Sequence, residues 1–464
     1  MFKQQTETIL TPKRNNRMVQ ALKKSLQLDR EYPAHDEATI AAEVAHNYRW
    51  NFVVNILDNA AFKFGVSLTS ASTILPLFIS KLTSNPLLPV GIIGVIAQGG
   101  WFLPQVFAAR VAERLPQQKP VVIKIGLFAE RLPYWVIAVS PLVALHNPTL
   151  AIILLLLGYT WHTLGSGSMA TFWQEMIARS FSTQQRGRFF GIMNFLGGFC
   201  GALGAGLSAS LLEGIPFPTN FFYIFLIAAI SLMISWYFVS LNREPIYPVT
   251  APHQTQQAFF KKLPQILRAD RNFRQFLIAR LLLGFSGMGS SFLTVAALER
   301  WQISDSTVGI YTTAMLVGET AAHLIFGFMA DRFGHKRSLT IGALITALSY
   351  FITWLAPTPN WQFLVFFFQG ASLGAVITAG IMIIMEFGTP QQRPTYIGLA
   401  NTSVGIIAMA APLLGALLAN ISYNILFAVS GSISFTSFAL LWLWVKEPRG
   451  THALTPQGNR ISTN

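Results

Sequence analysis

The fold is decided by Gly327-Phe328-Met329-Ala330-Asp331-Arg332-Phe333-Gly334-His335-Lys336-Arg337. A long apolar run ends at Asp331, cations crowd the positions after it, and a second apolar run starts at Ser338. Each flank is long enough to cross a hydrocarbon core of about 30 Å as a helix. Gly334 permits a tight reversal, Asp331 closes the first helix, and Lys336 and Arg337 stay at the aqueous edge, where a cation is cheapest. The stretch therefore reads as the turn of a transmembrane helical hairpin.

The same pattern repeats along the whole chain. Its 464 residues are 52% hydrophobic and only 11% charged, against roughly 25% charged in a soluble domain. Apolar runs near 52–79, 87–109, 121–144, 149–173, 189–212, 220–241, 274–298, 306–330, 338–356, 361–386, 396–419 and 423–445 predict twelve spans. All should be helices, because a strand edge facing lipid leaves its backbone groups unpaired. The fold class is an all-α membrane protein.

Lysines and arginines set the orientation. They fill the even-numbered connections and both flanks, whereas the odd-numbered connections offer only Lys81 and Arg300. Both termini are thus expected in the cytoplasm, with the chain integral to the cell (inner or plasma) membrane. The net charge of +14 belongs to this bias and not to a nucleic-acid surface, which needs a basic patch on a soluble domain. The N-terminal stretch before the first span lacks the apolar core and cleavage site of a signal peptide and reads as a tail. Within it, residues 14–30 form either a surface-lying amphipathic helix or a disordered segment. Cys200, the sole cysteine, precludes an intrachain disulfide.

The chain also echoes itself. Gln184-Gln185-Arg186 with Gly191 and Asn194 recurs at one constant offset as Gln391-Gln392-Arg393 with Gly398 and Asn401, and Asn47-Tyr48-Arg49 resembles Asn272-Phe273-Arg274. The echoes predict two six-helix halves at 49–241 and 273–446. A tail (1–48), a central loop (242–272) that lies along anionic lipid, and a second tail (447–464) complete the cytoplasmic side. Parallel repeats of this kind build several transporter folds.

The opening stretch resembles the signature loop of the major facilitator superfamily: Gly, three residues, Asp-Arg, any, Gly, any, two basic residues. Gly327, Asp331, Arg332, Gly334, Lys336 and Arg337 supply every fixed position, at the place where that family carries its second copy. The resemblance implies a carrier of alternating access in which Asp331 latches onto the start of span 5 near Arg188 and Phe189. The alternative is an anchor that merely closes the turn. The first-half copy departs from the pattern, with Ala109 at the acidic position and Ala112 at the glycine. Span 5 carries Gly197, Gly198, Gly201, Gly204 and Gly206, spaced for close helix packing. It is similar to an exporter's antiporter motif that has lost its proline at Ala202, which tilts the reading slightly toward export.

A charge at the bilayer centre costs at least about 2.5–3.5 kcal/mol on insertion scales, so every interior ionisable group is a functional candidate. These are Asp58 and Lys63 in span 1, Glu130 and Arg131 in span 3, Arg280 in span 7, and Glu319 and His323 in span 8. Asp58 and Lys63 sit about 140° apart around a helix and should find different neighbours. Asp58 or Glu130 is expected to pair with Arg131, and Pro133 frees the Ala129 carbonyl for Arg131 or water. Glu319 and His323, four residues apart, share a face. They form either a proton-coupling pair or a satisfied packing pair. By resemblance, spans 1, 4, 7 and 10 line the cavity, which adds Asn55, Trp161, His162, Gln369 and Glu386.

No phosphate-cradling Gly-Lys-Ser/Thr loop, nucleophile motif or metal-ligand spacing occurs. The expected protein is not an enzyme and takes no cofactor or metal. It is a monomer that meets lipid, protons and a small-molecule substrate, acting as a secondary active transporter. The competing class is a scaffold or a pigment or lipid delivery factor that keeps the fold without transport.

Overall fold

The structure, a computed structural model, describes residues 36–112, 115–247, 267–387 and 393–448. Among the described residues every regular element is a helix. Ten helical segments are long and apolar enough to cross a membrane. The first and third expected spans are helical as well, but each is divided.

Span 1 splits into α1 (Glu37–Ser67) and α2 (Ile74–Leu82). The helix starts well before the apolar run because the Asp36 carboxylate accepts the Thr39 amide at 2.9 Å, a side-chain cap. It stops where Thr69-Ser70-Ala71-Ser72-Thr73 offers hydroxyls that bond locally to backbone, as Ser67 does to the Phe64 carbonyl at 2.7 Å. Span 3 comprises α4 (Lys119–Ile125), a π turn over Gly126–Arg131, and α5 (Pro133–Val143). Pro133 has no N–H to offer the preceding turn, and the helix opens there.

The remaining spans are α3 (Leu87–Ala112), α6 (Pro148–Ser180), α7 (Thr183–Gly214) and α8 (Thr219–Ser240) in the first half. In the second half, α9 (Arg271–Ser286) continues through a 3-10 turn over Gly287–Phe292 into α10 (Leu293–Trp301). Then follow α11 (Asp305–Phe333), α12 (His335–Leu355), α13 (Trp361–Glu386), α14 (Arg393–Ile421) and α15 (Tyr423–Leu443). Within the halves α3 packs on α6 and α11 on α13; across them α7 packs on α11 and α3 on α14. Where α6 crosses α3, any Cβ at Gly167 would strike the Gly100 and Trp101 carbonyls. Gly374 repeats that crossing in the second half, its Cβ position 2.8 Å from the Glu319 carbonyl oxygen. Close helix approach requires glycine at both.

Among the described residues, the hydrophobic core is shared between the halves at one end. A single cluster joins Leu68, Phe78, Ile93 and Phe225 of the first half to Phe292, Tyr311, Phe366 and Phe427 of the second, at the end away from the termini. At the terminal end each half keeps its own core, around Phe172, Phe181 and Phe189 in one and Phe273, Ile383 and Phe387 in the other.

Each half also fastens its last helix to its first by the same device. Asn51 of α1 accepts the Arg243 amide (2.8 Å) and donates to its carbonyl (2.9 Å). Asn272 of α9 does both to Lys446, at 2.8 and 3.0 Å. The true counterpart of Asn272 is therefore Asn51, one helical turn beyond the Asn47 suggested by the sequence echo. The next residue in each strap is an acid. Glu244, fully buried, accepts the amides of Gln118 (2.8 Å) and Lys119 (2.7 Å) at the start of α4; Glu447 accepts the Lys336 amide at 3.3 Å at the start of α12. Burial pushes the Glu244 carboxyl up to about 7, against the opposing pull of the two amides and of Arg179.

Candidate functional site

The π turn aims Arg131 into the first half, where it meets both Asp58 and Glu130, one of which is expected from the sequence. Its guanidinium pairs with Glu130 and lies 4.0 Å from Asp58 Oδ1. The Ser235 hydroxyl stitches the group together, donating to Asp58 Oδ1 at 2.6 Å and accepting from Arg131 Nη2 at 3.2 Å. All three charged groups are buried, and the guanidinium also stands over the Phe62 ring at 5.6 Å. The Ala129 carbonyl is not its partner: Nη1 reaches the Gly126 carbonyl instead, at 3.4 Å, because the π turn brings that oxygen under the side chain.

Beside this trio opens a cavity of about 150 Å³. Asp58, Lys63, Glu130 and Arg131 line it together with Asn59, Phe62, Trp101, Ser166, Met169, Ala170, Trp173 and Gln174. Sequence reasoning missed its aromatic wall of Phe62, Trp101 and Trp173. Helices apolar on every side carry no stripe that separates a cavity-facing ring from a lipid-facing one. An interior Gln such as Gln174 was the available signal.

Lys63 turns the other way, as its angular distance from Asp58 requires, and crosses to the second half. Its Nζ lies 3.2 Å from Glu319 Oε1, which is 3.7 Å from His323 Nε2. His323 Nδ1 is 2.9 Å from the Thr378 hydroxyl of α13. The expected Glu319 and His323 pair is thus a triad reaching across the seam. The cross-half contacts then run toward the far end: Thr312 donates to Thr73 at 2.7 Å, Thr294 to the Ser72 carbonyl at 2.6 Å, and Lys81 meets Asp305 at 2.7 Å. On the other side of Lys63 a Cβ at Gly191 or at Gly327 would meet no atom of the described residues within 4 Å. In span 5, Gly197 faces Asn59 and Lys63, a Cβ at Gly201 would lie 3.4 Å from the Lys63 carbonyl oxygen and Gly204 faces Ser67 and Phe64, so these glycines let α7 lie close on α1.

Arg280 has a different environment. Its guanidinium lies against Gly380 of α13, where a Cβ would sit 2.8 Å from Nη2 and 3.1 Å from Nη1. Its buried Nε has no acceptor among the described residues. Of the other expected lining residues, Asn55 bonds to Asn242 (2.7 Å), His162 Nδ1 lies 2.8 Å from the Glu130 carbonyl oxygen, Gln369 donates to Ser349 (2.7 Å) and Glu386 lies 3.7 Å from His335. These groups brace helices against one another, and Trp161 is exposed.

In the signature loop Gly334 adopts φ +88°, closed to most side chains, and a Cβ there would strike the Glu447 carboxylate. Lys336 Nζ donates to the Trp442 carbonyl at 3.3 Å, and the guanidinium groups of Arg332 and Arg337 stand 5.3 and 5.5 Å from the Phe333 ring centre. The Asp331 side chain and that of Ala109 lie outside the described residues.

Comparisons with known proteins agree on the architecture. Residues 276–461 match the family model of the Major Facilitator Superfamily. An uncharacterised transporter of this type from Bacillus subtilis is 25% identical over 41% of this chain and 48% of its own. The Bacillus subtilis multidrug resistance protein 1 is 22% identical over 37% of this chain and 44% of its own. The matched region thus spans less than half of each of these relatives. A crystal structure of a D-xylose-proton symporter superposes with a TM-score of 0.66, covering 86% of this chain and 98% of that one at 15% identity, a likeness of fold.

Proposed function

We propose that the chain, whose residues 276–461 match the family model of the Major Facilitator Superfamily, is a secondary active transporter of that family that moves a small solute by alternating access. The observation that carries this reading is the asymmetric seam: one buried core common to both halves at the far end, and two separate cores at the end bearing the termini. With the termini in the cytoplasm, as the cation bias argues, this is an inward-open arrangement in the cell membrane. Closing the cytoplasmic end and opening the other completes the cycle.

Protons drive the movement through Glu319. While charged it holds Lys63 of the opposite half; on taking a proton it releases Lys63, with His323 as the neighbouring imidazole 3.7 Å away. Export is favoured over import, in keeping with the drug-resistance relative and the degraded exporter motif at Gly201. The deciding experiment measures solute flux in proteoliposomes under an imposed pH gradient. Gradient-driven flux that survives Glu319→Gln unchanged refutes the coupling. Absence of flux across a broad solute series refutes transport and leaves the scaffold reading.

A further inference from the structure

Arg280 is an interior cation with no acceptor among the described residues, and its surroundings are built around it. Arg131 pairs with Asp58 and Glu130 through its Nη groups, its Nε also lacking an acceptor among the described residues, and Lys63 is held by Glu319. No hydrogen bond or ion pair from the described residues satisfies Arg280, and its Nε is sealed from solvent. The side chain as a whole is only partly buried, so its open portion is the terminal Nη1 and Nη2 edge. That edge rests on Gly380, where any larger residue would displace it.

The internal repeat locates this guanidinium. Asn51 and Asn272 do the same work in the two halves, and Arg280 lies as far beyond Asn272 as Asn59 lies beyond Asn51. The α3–α6 crossing at Gly167 recurs at Gly374, and Gly380 lies as far beyond Gly374 as Trp173 lies beyond Gly167. Asn59 and Trp173 both line the first-half cavity. Arg280 on Gly380 is therefore the second half's counterpart of that cavity wall, with the bulk of a tryptophan removed and a fork of N–H donors put in its place.

We propose that Arg280 is the recognition point for a carboxylate on the transported solute, an assignment that rests on the transporter reading and gives it a substrate class. Two Nη donors on one charge match the two oxygens of one carboxylate, a bidentate geometry that a neutral amide does not satisfy. A phosphate dianion calls for a second cation, and Arg131 and Lys63 are already engaged.

The test uses the purified full chain in lipid nanodiscs and a series of probes, acetate, benzoate and 3-phenylpropionate, each against its neutral amide. The expected result is thermal stabilisation by at least one of the carboxylates and not by its amide. Binding should weaken at least tenfold in Arg280→Gln and in Gly380→Ala, with partial retention in Arg280→Lys. A residue that merely held the fold would betray itself by a lower unfolding temperature in ligand-free Arg280→Gln; the proposal expects that temperature to be unchanged or higher. If no carboxylate stabilises the unmodified chain, if the amides do so equally, or if Arg280→Gln binds as tightly, the proposal is overturned. Carboxylate binding that depends on Arg280 without any flux upholds this site and refutes transport. Flux of neutral solutes that ignores Arg280→Gln does the reverse.

Discussion

Replacing Glu319 with Gln removes the charge that Lys63 crosses the seam to meet. The pair is neither a surface bridge nor a fully buried one: the Glu319 side chain is 7% exposed and that of Lys63 32%. Exposed pairs contribute about 0–1 kcal/mol, and breaking a buried one costs about 3–5 kcal/mol. A value of about 1–3 kcal/mol is therefore expected, because water reaches Lys63 and relieves part of the penalty. The contact belongs to the arrangement closed at the far end, so the loss falls on that arrangement and shifts its population by about 5- to 150-fold. The complementary change, Lys63→Met, strands the carboxylate in the drier position and should shift it further.

Thr73 and Thr312 provide the readout. Their hydroxyls are 2.7 Å apart across the far end, so cysteines placed at the two positions report how often these sites meet. In a background with Cys200 replaced by Ala, the Thr73→Cys, Thr312→Cys chain should cross-link readily. Glu319→Gln should slow that reaction by the factor above, and the Lys63→Met, Glu319→Gln double variant should recover most of the rate, since no stranded charge remains. Cross-linking that proceeds equally in all four backgrounds refutes the idea that this pair holds the seam.

Two further outcomes follow from charges elsewhere. Arg131→Met leaves Asp58 and Glu130 buried without their shared cation and should destabilise the chain by about 3–5 kcal/mol, read as a lower unfolding temperature. Neutralising both carboxylates alongside it, with Asp58→Asn and Glu130→Gln, should restore much of the loss; a triple variant as unstable as Arg131→Met alone would show that packing, and not charge, is at stake. For Glu244, the folded state holds its proton up to about 7, whereas the unfolded chain gives it up near 4.5. Its protonation thus favours the folded state fully below about pH 4.5, and that contribution, at most about 3 kcal/mol, is lost as pH rises through 7. Unfolding curves of the natural chain and of Glu244→Gln should diverge steadily over that window and run parallel above it; parallel curves throughout would mean that the carboxyl is charged in both states.

Much of this architecture is legible in the sequence, because a lipid solvent imposes a simple rule: long apolar runs become helices, and charges mark their ends. The helical spans follow from that rule, helical angles direct Arg131 toward Asp58 or Glu130, and the signature loop is recognisable by its resemblance. What spacing did not reveal are contacts between residues far apart in the chain. Nothing local to Lys63 points to Glu319, 256 residues away. The Arg243-Glu244-Pro245 and Lys446-Glu447-Pro448 repeat was visible as text, but its meaning depends on which amides the two acids reach. The aromatic cavity wall stayed hidden because phenylalanine and tryptophan face lipid and ligand alike. The breaks in spans 1 and 3 arise from hydroxyl and proline chemistry inside runs that hydropathy alone treats as continuous.

The paired straps carry one further consequence. Because Asn51 with Glu244, and Asn272 with Glu447, lash each bundle to itself, neither bundle relies on the other for its own closure. The seam is then a separate set of contacts, Lys63 with Glu319 and Thr73 with Thr312, that can rearrange while both straps stay fastened.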